Sequence, residues 1–215
     1  MKVAILYICT GKYNQFFKGF FESCEKYLLK DIAQLEYYVF TDDMSLSDEA
    51  NVHLIKKECA GFPADSLFRF DMFLQVRQEL EKTDYIYFFN SNAEFKAPVG
   101  KELLPLKPYI YYMGGINGGE AADYLEMAET LSENIHADYE KGIVALVHDE
   151  SHINKYFRTH DCKVLSAEYC FPEEWITCDF SPKIIFRDKV KLDPYFNKGR
   201  DYSLKGKLKK TVSVI

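Results

Sequence analysis

Two short polar stretches follow apolar runs in this 215-residue chain, and both could do chemistry. Asn90-Ser91-Asn92 ends an aromatic, β-prone run that starts near Asp84, and such a run is typical of a buried strand. His148-Asp149-Glu150 follows residues 142–147, an apolar run that we also expect to be a strand. Because ligands of open α/β sheets bind outside the carboxyl ends of the strands, the sequence predicts a ligand site at these residues.

The residues at 148–151 allow structural and functional interpretations. Asp149 and Ser151 are suited to cap the helix that is predicted to follow them. His148 and Glu150 have no such explanation, and they are therefore candidates for binding or catalysis.

Residues 114–119 include four glycines. They predict either a tight turn from a strand to a helix or a backbone that approaches another group closely. Arg69 lies on the predicted helix that begins at Ser66, where the pattern alone favours a solvated side chain.

Apolar periodicity predicts alternating strands and helices around these residues. Strands are predicted at residues 3–8, 35–41, 52–55 and 109–113, and amphipathic helices after Asn14, after Ser66 and around 124–135. The β-α-β start predicts parallel strands with right-handed crossovers. We expect an α/β domain at residues 1–188 and a basic C-terminal tail at 189–215.

Composition narrows the class of protein. Aromatic residues make up 16% of the chain, which predicts either a core rich in Tyr and Phe or a surface that packs against sugar rings. Composition alone favours the core. The net charge of −6 argues against a nucleic-acid-binding protein. The basic tail is typical of a solvated end, and it could also bind phosphate or make weak contact with an anionic membrane surface.

The cysteines and the first residues predict the compartment. The six cysteines form no C-x-x-C pair and no zinc-ligand spacing, so we expect reduced thiols. The apolar run at the N-terminus is shorter than that of a signal peptide, and no run has the length of about 18 residues that a membrane span needs. A cytoplasmic protein is the expectation.

Four motifs in order resemble glycosyltransferase family 6, the family of the histo-blood-group A/B transferases, the α1,3-galactosyltransferases and their bacterial relatives. They are Ile5-Leu-Tyr-Ile-Cys-Thr-Gly-Lys-Tyr13, Tyr37-Tyr-Val-Phe-Thr-Asp42, Tyr111-Tyr-Met-Gly-Gly-Ile-Asn-Gly-Gly119 and His148-Asp-Glu-Ser-His-Ile-Asn-Lys-Tyr156. The resemblance implies a GT-A nucleotide-sugar transferase fold, a Rossmann-like mixed sheet flanked by helices. It also implies retaining transfer of GalNAc or Gal from a UDP-sugar to the 3-position of a galactoside or oligosaccharide acceptor.

The resemblance also implies a role for individual residues. Glu150 is placed beneath the anomeric carbon, as catalytic nucleophile or as electrostatic stabiliser of an oxocarbenium ion, and the sequence leaves both open. The implied donor-sugar-binding residues are Arg69, Met113, Gly115, His148 and Asp149. The implied nucleotide-binding residues are Ile8, Thr10, Tyr13, Asn90, Asn92, Arg187, Lys189 and Lys191.

Asn90 and Asn92 stand where the family has a D-x-D pair. Neutral amides are poor ligands for hard divalent cations, but they can donate hydrogen bonds to phosphate oxygens. Bacterial members with N-x-N resemble this chain and work without metal. We therefore expect no metal and no other cofactor, with Arg187, Lys189 or Lys191 supplying positive charge to the diphosphate.

Two departures from the family lie on the acceptor side. Only residues 106–108 separate Leu103-Leu104-Pro105 from Tyr109, where the family has a longer stretch that includes a strand and an acceptor-binding loop. Val147 stands where the family often has a Trp that packs on the acceptor. The alternative is therefore a non-catalytic or hydrolysis-only UDP-sugar-binding relative. A generic NAD-binding protein is disfavoured because no G-x-G-x-x-G follows the first strand.

Gly115 and Met113 occupy the positions where family members choose between Gal and GalNAc. Gly115 leaves room beside C2 of the donor sugar, which favours GalNAc. Met113 is larger and points weakly towards Gal. The balance favours GalNAc.

Overall fold

The computed structural model describes residues 1–61, 64–103, 114–175 and 179–197. Its strands are β1 (Lys2–Ile8), β2 (Gln34–Thr41), β3 (Val52–Lys56), β4 (Tyr85–Phe89), β5 (Ala93–Phe95), β6 (Ile116–Glu120), β7 (Phe171–Pro172) and β8 (Ile184–Phe186). Its α-helices are α1 (Phe17–Tyr27), α2 (Ala64–Leu67), α3 (Arg69–Leu74), α4 (Arg77–Leu80), α5 (Ala121–Tyr139), α6 (His148–Tyr156) and α7 (Lys189–Leu192). Short 3-10 helices occur at Gly11–Phe16, Lys101–Leu103, Ala167–Tyr169 and Pro194–Asn197.

The central sheet has five strands in the order β3-β2-β1-β4-β6. The first four are parallel to one another, and the edge strand β6 is antiparallel to β4. A second sheet of three short strands has the order β5-β8-β7. Asn90-Ser91-Asn92 connects β4 of the large sheet to β5 of the small one. The α/β fold with a mixed sheet flanked by helices is therefore confirmed.

The core lies on both faces of the central sheet. Val3, Ile5 and Tyr7 of β1 pack with α1 on one face, and Ala4 and Leu6 pack with α3 and α5 on the other. A strand that is covered on both faces needs apolar residues at successive positions. This explains why the strands read as continuous apolar runs.

Several sequence predictions of elements are confirmed, and two are wrong. The strands at 3–8, 35–41 and 52–55 and the helix around 124–135 are present. Asn14 is not a helix cap, because it lies inside the 3-10 turn Gly11–Phe16 and its side-chain amide donates to Asp42. The strand predicted at 109–113 lies outside the described residues.

The strand predicted at 142–147 is an irregular connection. Gly142 has a φ of 74° and follows the last turn of α5, where its N–H donates to the carbonyl of Tyr139. A residue with positive φ is a common helix terminator and ends the helix instead of starting a strand. Ile143 and Leu146 are 52% and 69% exposed, so the apolar run is not buried.

The glycine segment is part turn and part strand, because Gly114 and Gly115 lie in a turn and Gly118 and Gly119 lie in β6. Residues 116–120 form β6, and Gly118 pairs with Tyr87 of β4. A β-carbon on Gly118 would lie 2.2 Å from Cδ1 of Tyr87 and 2.5 Å from the carbonyl oxygen of Ile86. The predicted close approach of the backbone to another group is therefore confirmed at Gly118.

The first residues of the predicted tail pack against the domain. Asp193 pairs with Lys12 at 3.3 Å, and the rings of Phe196 and Tyr13 have centroids 4.7 Å apart. Residues 198–215 lie outside the described part of the chain. No helix among the described residues combines the length and the apolar character that crossing a bilayer requires.

The close approach of β6 to β4 predicts different losses of stability for two alanine substitutions. Gly118→Ala should lower the free energy of unfolding by about 3 kcal/mol, because the new methyl group collides with a ring and with a backbone oxygen. Gly119→Ala is the matched control, since a β-carbon there meets nothing within 4 Å, and its effect should stay within about 0.5 kcal/mol. Urea unfolding measures both, and equal losses would contradict this packing.

Candidate functional site

Arg69 is a buried charge at the start of α3. It is 6% exposed, its Nε lies 3.2 Å from Oδ2 of Asp149, and its Nη1 donates to the carbonyl of Gly114 at 2.7 Å. The guanidinium also lies 4.5 Å from the centre of the Phe88 ring. A buried charge must be paired to be tolerated. The solvated arginine that the helical pattern favours is therefore wrong.

Helix α6 begins directly with the candidate acidic residues. Asp149 and Glu150 lie in its first turn, where the helix dipole favours negative charge. The cap position is Val147, which makes no side-chain cap hydrogen bond, and Asp149 and Ser151 both lie inside the helix, so their predicted role as caps is wrong. Oγ of Ser151 accepts a hydrogen bond from the N–H of Val147 from within the helix. Asp149 faces Arg69, and His148 at the first position has a φ of 47°.

Gly114 connects the two carboxylates with the segment that leads into β6. Its N–H donates to Oε2 of Glu150 at 2.8 Å. A β-carbon on Gly114 would lie 3.0 Å from Oδ2 of Asp149 and 3.4 Å from Cβ of Glu150. Only a glycine lets the backbone approach both side chains this closely without displacing them.

Burial raises the pKa of Asp149 from 3.8 to about 6, and the opposing charge of Arg69 only partly offsets this effect. The folded-state pKa lies above the ordinary value, so the ionised side chain costs the folded protein stability at neutral pH. That cost disappears as the pH falls towards 4. The carboxylate needed to accept hydrogen bonds from a ligand is lost as the pH falls through about 6.

The turn Asn90-Ser91-Asn92 joins three parts of the protein. The N–H of Asn90 donates to the carbonyl of Gly115 at 2.9 Å, and the hydroxyl of Tyr7 donates to the carbonyl of Ser91 at 2.6 Å. Nδ2 of Asn92 donates to the carbonyl of Arg187 at 2.9 Å. Asn92 is thus already engaged in a protein contact through the amide group that was expected to meet phosphate.

The residues expected to bind the nucleotide follow β1 and meet the C-terminal segment. Thr10 is 5% exposed, and its carbonyl accepts from the N–H of Tyr13. Nζ of Lys189 lies 4.8 Å from the centre of the Tyr13 ring. Arg187 pairs with Glu94 at 3.2 Å, so part of its charge is already compensated.

The structure brings one group of predicted residues into direct contact. Arg69, Asn90, Gly115, Asp149 and Glu150 are connected through Gly114 and its neighbours. Ile8 ends β1 beside the end of β4, and His148 adjoins Asp149. Lys191 is exposed on α7. Met113 lies outside the described residues.

A cavity of about 760 Å³ lies beside this group instead of within it. It is bounded by β6, the first half of α5, the end of α6 and residues 159–170. None of the predicted site residues lines it, and sequence reasoning gave no sign of it. Burial, and to a lesser extent the charge of Glu150, raises the pKa of the Cys170 thiol in its wall to about 12. The cavity adjoins the group through Ile116, which lines it and directly follows Gly115.

Comparison with known proteins identifies the family. Residues 106–185 match the sequence model of glycosyltransferase family 6. The chain is also 32% identical over 233 residues to the O-antigen biosynthesis glycosyltransferase WbnI of Escherichia coli, covering 92% of this chain and 99% of that relative. The chain belongs to glycosyltransferase family 6. Members of this family are GT-A-like, and the protein is a glycosyltransferase that acts on a nucleotide-sugar donor and a glycan acceptor.

Mammalian relatives are more distant and longer. Human globoside alpha-1,3-N-acetylgalactosaminyltransferase 1 is 24% identical over 80% of this chain and 62% of its own length. Rat histo-blood group ABO system transferase 1 is 27% identical over 80% of this chain and 61% of its own length. The matched part is therefore about three fifths of these proteins.

The ion pair between Arg69 and Asp149 predicts that replacing Arg69 costs much more stability than replacing the exposed Arg77. Arg69→Met should lower the free energy of unfolding by about 3 kcal/mol at pH 8, because it leaves the buried carboxylate of Asp149 without its partner. The loss should be smaller at pH 5, where Asp149 takes up a proton. Arg77→Met is the control, since Arg77 is 39% exposed in its pairs with Glu81 and Glu129, and it should cost less than about 1 kcal/mol.

Urea unfolding of both variants at the two pH values provides the measurement. A loss for Arg69→Met that does not depend on pH would mean that Asp149 does not respond to the missing charge.

Proposed function

We propose that this glycosyltransferase transfers GalNAc, or Gal, from UDP to the 3-position of a galactoside with retention and without a metal ion. The observation that carries the proposal is the group of Arg69, Asp149 and Glu150 around Gly114. These residues lie at the carboxyl end of the sheet, where ligands of α/β folds bind.

Glu150 is the group suited to act at the anomeric carbon. One of its oxygens accepts the hydrogen bond from Gly114, which fixes the orientation of the carboxylate. A fixed carboxylate can attack the anomeric carbon, or it can stabilise positive charge that develops there. Both routes give retention, and the geometry is compatible with either.

Arg69 and Asp149 are suited to hold the donor sugar. An ionised carboxylate accepts hydrogen bonds from sugar hydroxyls, and the paired guanidinium keeps Asp149 in place. The buried position of the pair excludes water, which strengthens each polar contact with a ligand.

The departing UDP requires positive charge or hydrogen-bond donors at its β-phosphate. Lys189 is well suited, because it lies against Tyr13, which the family resemblance assigns to the uridine pocket. Asn90 can add a neutral donor. Asn92 donates its amide to the carbonyl of Arg187, and Arg187 pairs with Glu94.

GalNAc is the preferred donor sugar in this proposal. A glycine at position 115 presents no side chain to the sugar. The name of the human relative, an alpha-1,3-N-acetylgalactosaminyltransferase, supports the same sugar and linkage.

A second candidate is a relative that hydrolyses the UDP-sugar or only binds it. The alignment with the Escherichia coli protein runs over 233 residues, more than the 215 of this chain, so that relative has residues with no counterpart here. A shortened acceptor region between residues 105 and 109 would weaken transfer and leave the donor side intact.

Hydrolysis of UDP-GalNAc without acceptor tests the assignment of Glu150. Glu150→Gln should lower the hydrolysis rate by about 100-fold, because the amide can neither attack nor stabilise positive charge. Glu133→Gln on the exposed side of α5 is the matched control and should leave the rate unchanged. Undiminished hydrolysis in Glu150→Gln would exclude Glu150 from catalysis. Wild-type hydrolysis without transfer to any galactoside would select the second candidate.

A chelation experiment tests independence from metal. The rate of UDP release should be the same in EDTA and in added Mn²⁺, because amides at 90 and 92 contribute no charge to a metal site. Liquid chromatography of UDP measures the rate. A requirement for Mn²⁺ would contradict this part of the proposal.

A further inference from the structure

The space beside Gly115 is occupied by the ring of Phe186. A β-carbon on Gly115 would lie 2.9 Å from Cζ and 3.4 Å from Cε2 of that ring. It would also lie 3.3 Å from Nδ2 of Asn90. The glycine alone therefore does not determine how much room a ligand finds here, because Phe186 fills the volume that a side chain would take.

The backbone around Phe186 is fixed. Phe186 is 8% exposed at the end of β8, opposite Ala93 of β5. The next residue, Arg187, forms two hydrogen bonds with Asn92, which we call the Asn92–Arg187 clasp. The N–H of Arg187 donates to the carbonyl of Asn92, and Nδ2 of Asn92 donates to the carbonyl of Arg187, each at 2.9 Å.

The clasp explains why an amide suits position 92. An aspartate there would lose the N–H donor and would place its charge beside the carbonyl of Arg187. The amide of Asn92 supplies no charged ligand for a metal, but it holds the end of the strand that carries Phe186.

We infer that Phe186 is a specificity-determining residue for the donor sugar. The inference rests on the proposed function, in which Gly115 lies beside C2 of that sugar. The ring limits the size of the group that C2 can carry, because it closes the space behind the glycine. Shortening the ring opens this space and favours the bulkier acetamido group of GalNAc over the hydroxyl of Gal.

The experiment compares UDP-GalNAc with UDP-Gal in five proteins. The first three are the wild type, Phe186→Leu and Phe171→Leu. Phe171→Leu is a matched control in the same small sheet. Phe171 is 7% exposed, and its ring contacts Trp175 and Phe180 instead of Gly115. The other two are Gly115→Ala and the double variant that combines Gly115→Ala with Phe186→Leu.

Phe186→Leu should raise the ratio of kcat/KM for UDP-GalNAc to that for UDP-Gal by about tenfold, the scale on which pockets discriminate small apolar differences. Phe171→Leu should leave the ratio unchanged. Gly115→Ala should reduce the use of both donors, and adding Phe186→Leu should restore part of it, because the collision is with the ring. Titration calorimetry should show the same preference, with Phe186→Leu strengthening the binding of UDP-GalNAc relative to that of UDP-Gal.

Thermal unfolding of the two leucine variants separates specificity from folding. Both lose buried ring atoms, so a change in donor ratio that is confined to Phe186→Leu cannot come from lost stability. An unchanged or lower ratio in a folded Phe186→Leu protein would overturn the inference and leave the proposed function standing. A wild type that binds and turns over neither donor would overturn both.

Discussion

The need to compensate the buried charge of Arg69 organises the candidate site. A guanidinium that is 6% exposed requires partners, and it finds them in the carboxylate of Asp149 and the carbonyl of Gly114. These partners belong to α6 and to the segment before β6, which are far apart in the chain. Their positions bring Glu150 to the N–H of Gly114, so the candidate catalytic group is placed as a consequence of the same contact.

Asn90-Ser91-Asn92 plays the corresponding role on the other side of Gly115. Its backbone and side-chain hydrogen bonds reach Tyr7 of β1, Gly115 before β6 and Arg187 after β8. A motif that would bind metal in D-x-D relatives is here a junction of two sheets. This makes the loss of the carboxylates compatible with a well-defined site, because an amide can donate where a carboxylate cannot.

Open surfaces adjoin the candidate carboxylates. The cavity of about 760 Å³ lies next to the carboxylates, and the connection before α6 exposes Ile143, Leu146 and Val147. Transfer of a sugar to a glycan depends on excluding water from the activated sugar. The balance between transfer and hydrolysis in this protein is therefore a property of how an acceptor covers these surfaces.

The sequence by itself determined the parallel strands, the helices of the core, the family and the identity of most candidate residues. Strands such as β1 are recognisable because burial on both faces requires apolar residues at successive positions, and that signal is local. It failed at residues 142–147, where the apolar run has the same local signal but follows the helix-ending Gly142. Only the tertiary structure decided that Arg69 is buried, that Gly118 lies against Tyr87 and that Phe186 fills the space beside Gly115. Each of these facts depends on a partner distant in sequence, and local periodicity carries no information about that partner.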